Sequence, residues 1–288
     1  MYPMIGTREI SNALTVLWTL AVLAAAERPD IRQLKDVEQS AGFRPTRNFV
    51  RTDPRVTAYY RCYYTGKLEL PESYDDLKLR QGTSNGCVLD ERKYDVFFYP
   101  IEAVASGRSP VTRSLATASA DRLVMVVPHE DFHAQIDCLP PRIAEAAATL
   151  MGFVTGAAAL DQPSLDADLF LRKAEIVNRT FDHLSKIYQT ARNGGISERE
   201  ARKEQQGLLD GFQQECATIA PRPRFFNQCL SAANNAGLAF DHTYTKFYPL
   251  LYNVYRGCGK DLKCTAQKIL RAPRNTSEPA VLAYFERF

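Results

Sequence analysis

The sequence predicts a mainly helical α+β fold with a small β-containing part towards the N-terminus. Two short runs rich in aromatic and β-branched residues, Val56–Tyr64 and Tyr94–Tyr99, have the composition of strands. From Leu165 to Arg192, apolar residues recur at intervals of three and four, the spacing of an amphipathic helix. Beyond Glu145 the chain reads almost entirely as helix. With 288 residues, 45% of them hydrophobic and 24% charged, the composition suits an ordinary globular protein.

The first 26 residues predict a secretory signal peptide. Ala13–Ala26 is an uninterrupted apolar run that ends in three alanines, the kind of small residues that precede a cleavage point. The run is shorter than the roughly 20 residues that span a bilayer, although a buried helix or an uncleaved anchor would have the same composition. We therefore expect residues 27–288 to form one mature domain, secreted or periplasmic and without a membrane span.

Within that domain, residues 27–120 predict a mixed α/β part and residues 121–288 predict a helical part. In the first part, Ile31–Ser40 has the pattern of a short helix, and the Gly/Ser/Asn stretch at 81–86 is expected to be a loop between the two strands. The net charge is only +3 and no dense Lys/Arg cluster is present, which argues against nucleic acid as a partner.

The strongest chemical signal is a His-Glu-x-x-His motif at residues 129–133. On a helix, His129 and His133 lie one turn apart on the same face, so both imidazoles can bind one metal ion. Glu130 flanks that face without having to ligate, and there it can take a proton from a metal-bound water. We therefore predict a Zn²⁺ site with His129 and His133 as ligands and Glu130 as the catalytic base.

Glu145 is the predicted third ligand. The motif helix is expected to continue through Ala134–Leu139 and to end at the pair Pro140 and Pro141, because proline lacks an N–H and restricts the residue before it. A second helix rich in alanine follows. If the two helices fold back antiparallel, Glu145 returns to within roughly one helical turn of the height of His133.

Two other carboxylates lie close to the motif. Asp137 continues the face of His133, so it is the alternative third ligand or a hydrogen-bond acceptor for a histidine N–H. Asp131 lies nearly opposite His129 on the helix, so it is expected to meet solvent or a basic partner.

Later in the chain, further signals mark helix boundaries. Asn193–Gly195 is expected to end the helix that begins at Leu165. Ser197 and Glu200 form a capping-box pattern that opens the next helix, which runs to about Cys216.

Seven cysteines are present, and none forms a Cys-x-x-Cys metal pair. An exported protein would tend to oxidise them. Proximity in the sequence favours three disulfides and leaves Cys138 as a buried residue or a lone thiol. The favoured pairs are Cys258 with Cys264, Cys216 with Cys229, and Cys62 with Cys87.

Two blocks of the sequence resemble a bacterial family described as predicted aminopeptidases, which are gluzincin-like zinc proteins. In the first block, Val126–Gln135 carries a His-Glu-x-x-His-x-Gln run, and Glu145–Phe153 begins with Glu-x-x-Ala-Thr; the family has both patterns. The second block, Asn234–Leu238 followed by Tyr244 and Phe247, agrees as well. The blocks cover roughly the second half of the chain, and the resemblance implies a helical zincin-like domain.

This resemblance implies an exported zinc metallopeptidase that hydrolyses peptide or protein substrates through a metal-activated water. It implies that Tyr244 donates its hydroxyl to the oxyanion of the tetrahedral intermediate; a core position is the alternative for this residue. Asn234 and Asn235 are expected to hold a substrate backbone or the motif helix. By analogy with zinc peptidases, Tyr94–Tyr99 is a candidate edge strand that pairs with an extended substrate.

Other functions stay open from the sequence. A non-catalytic envelope protein could keep the helix pair as a structural metal site or a polar core, and a zinc hydrolase could act on non-peptide substrates. No acidic anchor for a substrate amine can be identified, so the sequence is compatible with aminopeptidase and endopeptidase action alike.

Overall fold

The computed structural model describes residues 30–104, 107–163, 165–219, 229 and 234–288. The predicted signal peptide, residues 1–26, lies outside the described residues. Within them the fold is mainly helical with one small antiparallel sheet, which confirms the predicted class. The helices are α1 (Ile31–Ala41), α2 (Arg113–Ala116), α3 (Ala120–His133), α4 (Pro141–Ala159), α5 (Leu165–Arg192), α6 (Glu198–Cys216), α7 (Asn235–Thr245), α8 (Tyr248–Gly257), α9 (Leu262–Leu270) and α10 (Glu278–Phe285). The strands are β1 (Tyr59–Gly66), β2 (Lys78–Gln81) and β3 (Tyr94–Ile101).

The sheet has three antiparallel strands in the order β2–β1–β3, so β3 lies at one edge. The strand predicted from Val56 begins at Tyr59 instead, because the carbonyl of Val56 accepts from the N–H of Arg113 at the start of α2. The second predicted strand is confirmed as β3. The sequence gives no sign of β2, since all four of its side chains are exposed and no apolar alternation marks them.

Helices α3 and α4 pack against each other at the centre of the fold, and most of α4 is buried. Gly152 and Gly156 of α4 make this close approach possible. A Cβ at Gly152 would lie 2.8 Å from the carbonyl oxygen of Met125, and one at Gly156 would lie 2.7 Å from that of Val124. Both distances are too short for a side chain, so glycine is required at these two positions of α4.

The predicted continuation of the motif helix through Ala134–Leu139 is wrong. Helix α3 ends at His133, and tight turns lead from there to the prolines. The side-chain amide of Gln135 donates to the backbone carbonyl of Asp131 at 3.1 Å. In a continuing helix this carbonyl would accept from the backbone N–H of Gln135. The side chain takes the place of that bond, so the chain is free to turn before α4 begins at Pro141.

The later helices follow the sequence prediction closely. The expected helix over Leu165–Arg192 is confirmed as α5, and the capping box of Ser197 and Glu200 opens α6. An apolar cluster joins α5, α6 and α7, while α8, α9 and α10 complete the main core around α4.

The cysteine pairs follow the prediction as well. The structure contains the disulfides Cys62–Cys87, Cys216–Cys229 and Cys258–Cys264, with Cα atoms 5.8–5.9 Å apart, and Cys138 is free. No helix in the described part of the chain is long and apolar enough to cross a membrane.

Candidate metal centre

Two histidines of α3 and one glutamate of α4 bring their side-chain tips together between these helices. The Nε2 atoms of His129 and His133 are 3.2 Å apart. Glu145 Oε2 lies 3.5 Å from the first and 3.2 Å from the second. The three side chains are only 10–12% exposed. These are the three residues predicted to bind a metal, and no other His, Cys, Asp or Glu of the described residues joins the group.

The spacing of the three atoms fits one tetrahedral metal ion. Ligands held about 2.0–2.2 Å from a zinc ion lie about 3.3–3.5 Å from one another, and the observed separations are 3.2–3.5 Å. A simple hydrogen bond would draw one imidazole N–H to within about 2.9 Å of the carboxylate, and it would give no reason for the two ring nitrogens to converge. Three donors fill three tetrahedral positions and leave the fourth open, as in catalytic zinc sites.

The protonation states of the three groups suit metal ligation. Burial would raise the pKa of Glu145, but His133 and the hydrogen bonds from both histidines hold that pKa well below its ordinary value. Burial and the neighbouring His133 lower the pKa of His129. Burial would lower the pKa of His133, but the charge and the hydrogen bond of Glu145, together with the charge of Glu130, raise it. Glu145 is therefore an ionised carboxylate, and any proton on His133 must leave when a metal binds.

Tyr74 holds the other oxygen of the carboxylate. Its hydroxyl donates to Glu145 Oε1 at 2.7 Å, which leaves Oε2 directed at the histidines. Burial and the charge of Glu145 raise the pKa of Tyr74 far above its ordinary value, so the hydroxyl remains a donor. Sequence reasoning missed Tyr74, because it lies in a one-turn 3₁₀ helix outside every recognisable motif.

Helix α7 fixes the segment that carries Tyr74. The backbone N–H of Tyr74 donates to the hydroxyl of Thr243 at 2.8 Å. The ring of His242 stacks on Phe181 and its Nδ1 lies 2.8 Å from the carbonyl oxygen of Glu72. Burial lowers the pKa of His242 to about 4, so the ring is neutral and donates from Nδ1. His242 is thus a buried positioning group.

Glu130 is a buried carboxylate beside the three donors. Its Oε2 atom has no hydrogen-bond partner among the described residues. Burial raises the pKa of Glu130 to about 7, although the nearby His133 opposes the shift. A buried carboxylate oxygen without a hydrogen-bond donor is costly unless a water or a ligand contacts it.

Asp131 anchors the end of α3 to the N-terminal part of the chain. It is completely buried and bonds to Lys35 and to the hydroxyl of Thr46. The side-chain amide of Asn48 donates to Asp131 at 3.0 Å and to the carbonyl of Glu130 at 3.3 Å. The expected basic partner is present, but the expectation of solvent contact is wrong. These bonds hold the turn of α3 that carries Glu130.

Tyr244 and the two asparagines lie on α7. The ring of Tyr244 is 6.3 Å from that of His129, and burial raises its pKa well above the ordinary value. Tyr244 is therefore close enough to the donors to act on a bound substrate. Asn234 caps α7 and donates to the carbonyl of Val96, while Asn235 donates to the carbonyl of Lys67. The asparagines join α7 to the sheet.

Two cavities meet at the candidate metal centre. The first, which we call the β3 cavity, has a volume of about 360 Å³, lies between β3 and α3, and includes His129, Glu130 and Tyr244 in its wall. The second, the open cavity, has a volume of about 540 Å³ and includes His133 and Glu145. Asp137, the alternative ligand, is exposed at this second cavity and does not join the donors.

Comparisons of the chain with protein families, curated proteins and solved structures found no match. The chemistry of the centre is therefore inferred from its own geometry.

Proposed function

We propose that this protein is a zinc-dependent metallopeptidase that hydrolyses peptide or protein substrates. One observation carries the proposal: His129, His133 and Glu145 converge at metal-ligand spacing with a fourth position open, and the unpartnered carboxylate of Glu130 lies next to them. A structural zinc site would be closed by a fourth protein ligand, and none is present among the described residues.

The donor set suits zinc in type as well as in spacing, since two imidazoles and one carboxylate form a known catalytic ligand set for this ion. Bound there, zinc would supply a Lewis acid that lowers the pKa of a water towards about 7 and polarises a carbonyl group. Tyr74 would keep Glu145 oriented with one oxygen towards the ion.

The residues of the chain supply the proton transfers. Glu130, whose Oε2 has no hydrogen-bond partner among the described residues, would accept a proton from the attacking water and return it to the departing amine nitrogen. A pKa of about 7 for this group in the metal-free protein suits both roles near neutral pH. Tyr244, which also lines the β3 cavity, is the candidate donor to the developing oxyanion.

The position of β3 at the edge of the sheet favours a peptide as the substrate. The carbonyl of Tyr60, which lies opposite Pro100, accepts from Gly82 on the β2 side of β1. Residues 96, 98 and 100 of β3 therefore direct their backbone groups away from β1. Asn234 already occupies the carbonyl of Val96, so the free part of the edge lies at Phe98 and Pro100. Pro100 suits this position because it has no N–H to leave unpaired. An extended peptide could add to that edge beside His129 and Glu130.

The disulfides support an extracytoplasmic location. Three cross-linked pairs in one chain are typical of secreted and periplasmic proteins, because the cytoplasm keeps thiols reduced. Together with the predicted signal peptide, they favour export, so we propose that the enzyme acts outside the cytoplasm.

Metal titration combined with peptide hydrolysis tests the proposal. The chelator-treated full chain should bind one zinc ion and then cleave a mixed peptide library, with cleavage sites read by mass spectrometry. Glu130→Gln should keep the zinc and lose turnover by at least about 100-fold, since it removes the proton acceptor and retains the shape. Glu145→Ala should lose the zinc.

Asp137→Asn is the matched control, because Asp137 is the rejected third ligand and lies close to the centre. It should keep both zinc and turnover. Full turnover by Glu130→Gln would refute the mechanism. Zinc binding by the wild type without cleavage of any peptide would refute the assignment as a peptidase.

A further inference from the structure

The β3 cavity has the lining of a pocket for one apolar side chain. It is contiguous with the candidate metal centre through His129, Glu130 and Tyr244, so a group seated in it lies next to the reacting atoms. Much of the remaining wall is apolar and comes from β3, α3, α5 and α7. These apolar residues include Phe97, Ile101, Met125, Val126, Phe170 and Phe240.

The size of the cavity fits a large side chain. Its volume of about 360 Å³ corresponds to on the order of ten water molecules at about 30 Å³ each. Water against an apolar wall is readily displaced by an apolar group, and the displacement favours binding in proportion to the area that is buried. An alanine would leave most of this volume filled with water, whereas a phenylalanine or leucine would occupy much of it.

Apart from Glu130 at the candidate metal centre, the charged carboxylate, Lys and Arg side chains in the wall form two ion pairs. Arg122 donates to Glu102 at 2.5 Å and to the hydroxyl of Tyr99 at 2.7 Å. On the other side, Lys173 donates to Asp241 at 2.9 Å, and both of these side chains are less than 10% exposed. A charged substrate side chain would lose its hydration against a largely apolar wall in which the charges of these two ion pairs already cancel, which is unfavourable.

We propose that the β3 cavity selects a large uncharged side chain, aromatic or aliphatic, on a residue that flanks the cleaved bond. This inference rests on the proposed peptidase function and adds a substrate class to it. The enzyme would then act at bonds next to residues such as phenylalanine or leucine, and would discriminate against lysine, glutamate and alanine at the same place.

The test uses the zinc-loaded full chain and one peptide frame in which the selected position is phenylalanine, leucine, alanine, lysine or glutamate. We expect kcat/KM for phenylalanine and leucine to exceed that for alanine by at least about 10-fold, since even one methylene in an apolar pocket is worth about 10- to 200-fold. Lysine and glutamate should fall below alanine. Equal turnover of all five peptides would overturn the inference and leave the peptidase function standing.

Ile101→Trp fills the cavity from β3 and should lower the phenylalanine-to-alanine ratio at least about 10-fold. Leu79→Trp, an exposed position on β2 away from the cavity, should leave that ratio unchanged. Ile101→Ala gives a second variant that does not add bulk, and it should raise turnover of a tryptophan peptide relative to phenylalanine. Unchanged ratios in both Ile101 variants would refute the assignment of the pocket.

A binding measurement separates the two proposals. N-acetyl-phenylalanine amide should shift the amide NMR signals of β3 in the wild type, and the alanine analogue should not. This result without peptide cleavage would support the pocket and refute the peptidase. Cleavage with equal shifts from both amides, or with none, would refute the pocket alone.

Discussion

Replacing Tyr74 by phenylalanine is the sharpest test of how the metal centre is held. The variant removes one hydroxyl, the donor at 2.7 Å to Glu145 Oε1, and retains the ring and its packing. With zinc bound, Glu145 Oε2 would contact the ion instead of the two histidines. Tyr74 would then be the one hydrogen-bond donor to this carboxylate among the described residues. A hydrogen bond to an ionised group is worth about 1.5–3 kcal/mol.

That energy has a direct consequence for zinc affinity. Groups that orient a metal ligand change affinity by about 10- to 100-fold, equal to about 1.4–2.7 kcal/mol. We therefore expect the zinc Kd of Tyr74→Phe to rise by this factor near neutral pH, measured by competition with a zinc-binding dye. The number of zinc ions bound per chain should stay at one, since all three ligands are still present.

Tyr248→Phe is the matched control. The hydroxyl of Tyr248 is buried and donates to the carbonyl of Ala167 at 3.1 Å, away from the metal centre. Its loss should lower the free energy of unfolding by about 1 kcal/mol and leave the zinc Kd unchanged. A Kd for Tyr74→Phe within twofold of the wild type, or equal changes in both variants, would refute the role assigned to Tyr74.

Three further outcomes follow from the packing, the buried histidine and the cysteines. Gly152→Ala should lower the free energy of unfolding by about 1–3 kcal/mol in urea titrations, because the new Cβ would lie 2.8 Å from a carbonyl oxygen of α3. Gly207→Ala is the control: the space around Gly207 is open, so this variant should be as stable as the wild type or more stable. The pKa of His242 is lowered to about 4, so the unfolded chain binds a proton more readily than the folded chain as the pH falls below about 6.5. The wild type should therefore lose about 1.6 kcal/mol of stability between pH 6.5 and 5. His242→Asn keeps a donor near Nδ1 and should lack most of that loss, whereas identical pH profiles for the two proteins would contradict the assignment. Alkylation of the unfolded protein should label one cysteine, Cys138, without reductant and all seven with it; more than one label without reductant would contradict the pairing.

The features that could be predicted from the sequence are those that depend on local spacing along the chain. Two histidines at i and i+4 share a helix face by geometry alone, and the two prolines mark the reversal that returns Glu145 to them. The bounds of α5 and α6 follow for the same reason, since apolar spacing and a capping box act over a few residues. Glu145 rather than Asp137 meets the histidines because the chain turns directly after His133, which leaves Asp137 outside the helix.

Other features depend on contacts between distant segments, which no local pattern reveals. At the early end of α3, the side chain of Gln135 takes the bond that would continue the helix, and it is held there by hydrogen bonds with the backbone of Arg44, which lies 91 residues earlier in the chain. Tyr74 reaches Glu145 only because α7, about 170 residues later in the chain, holds its backbone. Asp131 is buried because Thr46 and Asn48 cover it from the N-terminal side. Each of these is decided by tertiary hydrogen bonding.

The three disulfides are distributed in a way that bears on how the molecule responds to its surroundings. Cys62–Cys87 links β1 to the segment that follows β2, and Cys216–Cys229 links the last residue of α6 to residue 229. Cys258–Cys264 joins the C-terminal end of α8 to α9. None of these disulfides joins α3 to α4. These two helices are held together by the close packing at Gly152 and Gly156 and, under the proposed function, by a zinc ion bound between them. Reduction of the disulfides should therefore destabilise the segments that they link, whereas removal of a bound metal by a chelator should destabilise the packing of α3 on α4. The two treatments should lower the melting temperature by separate and additive amounts.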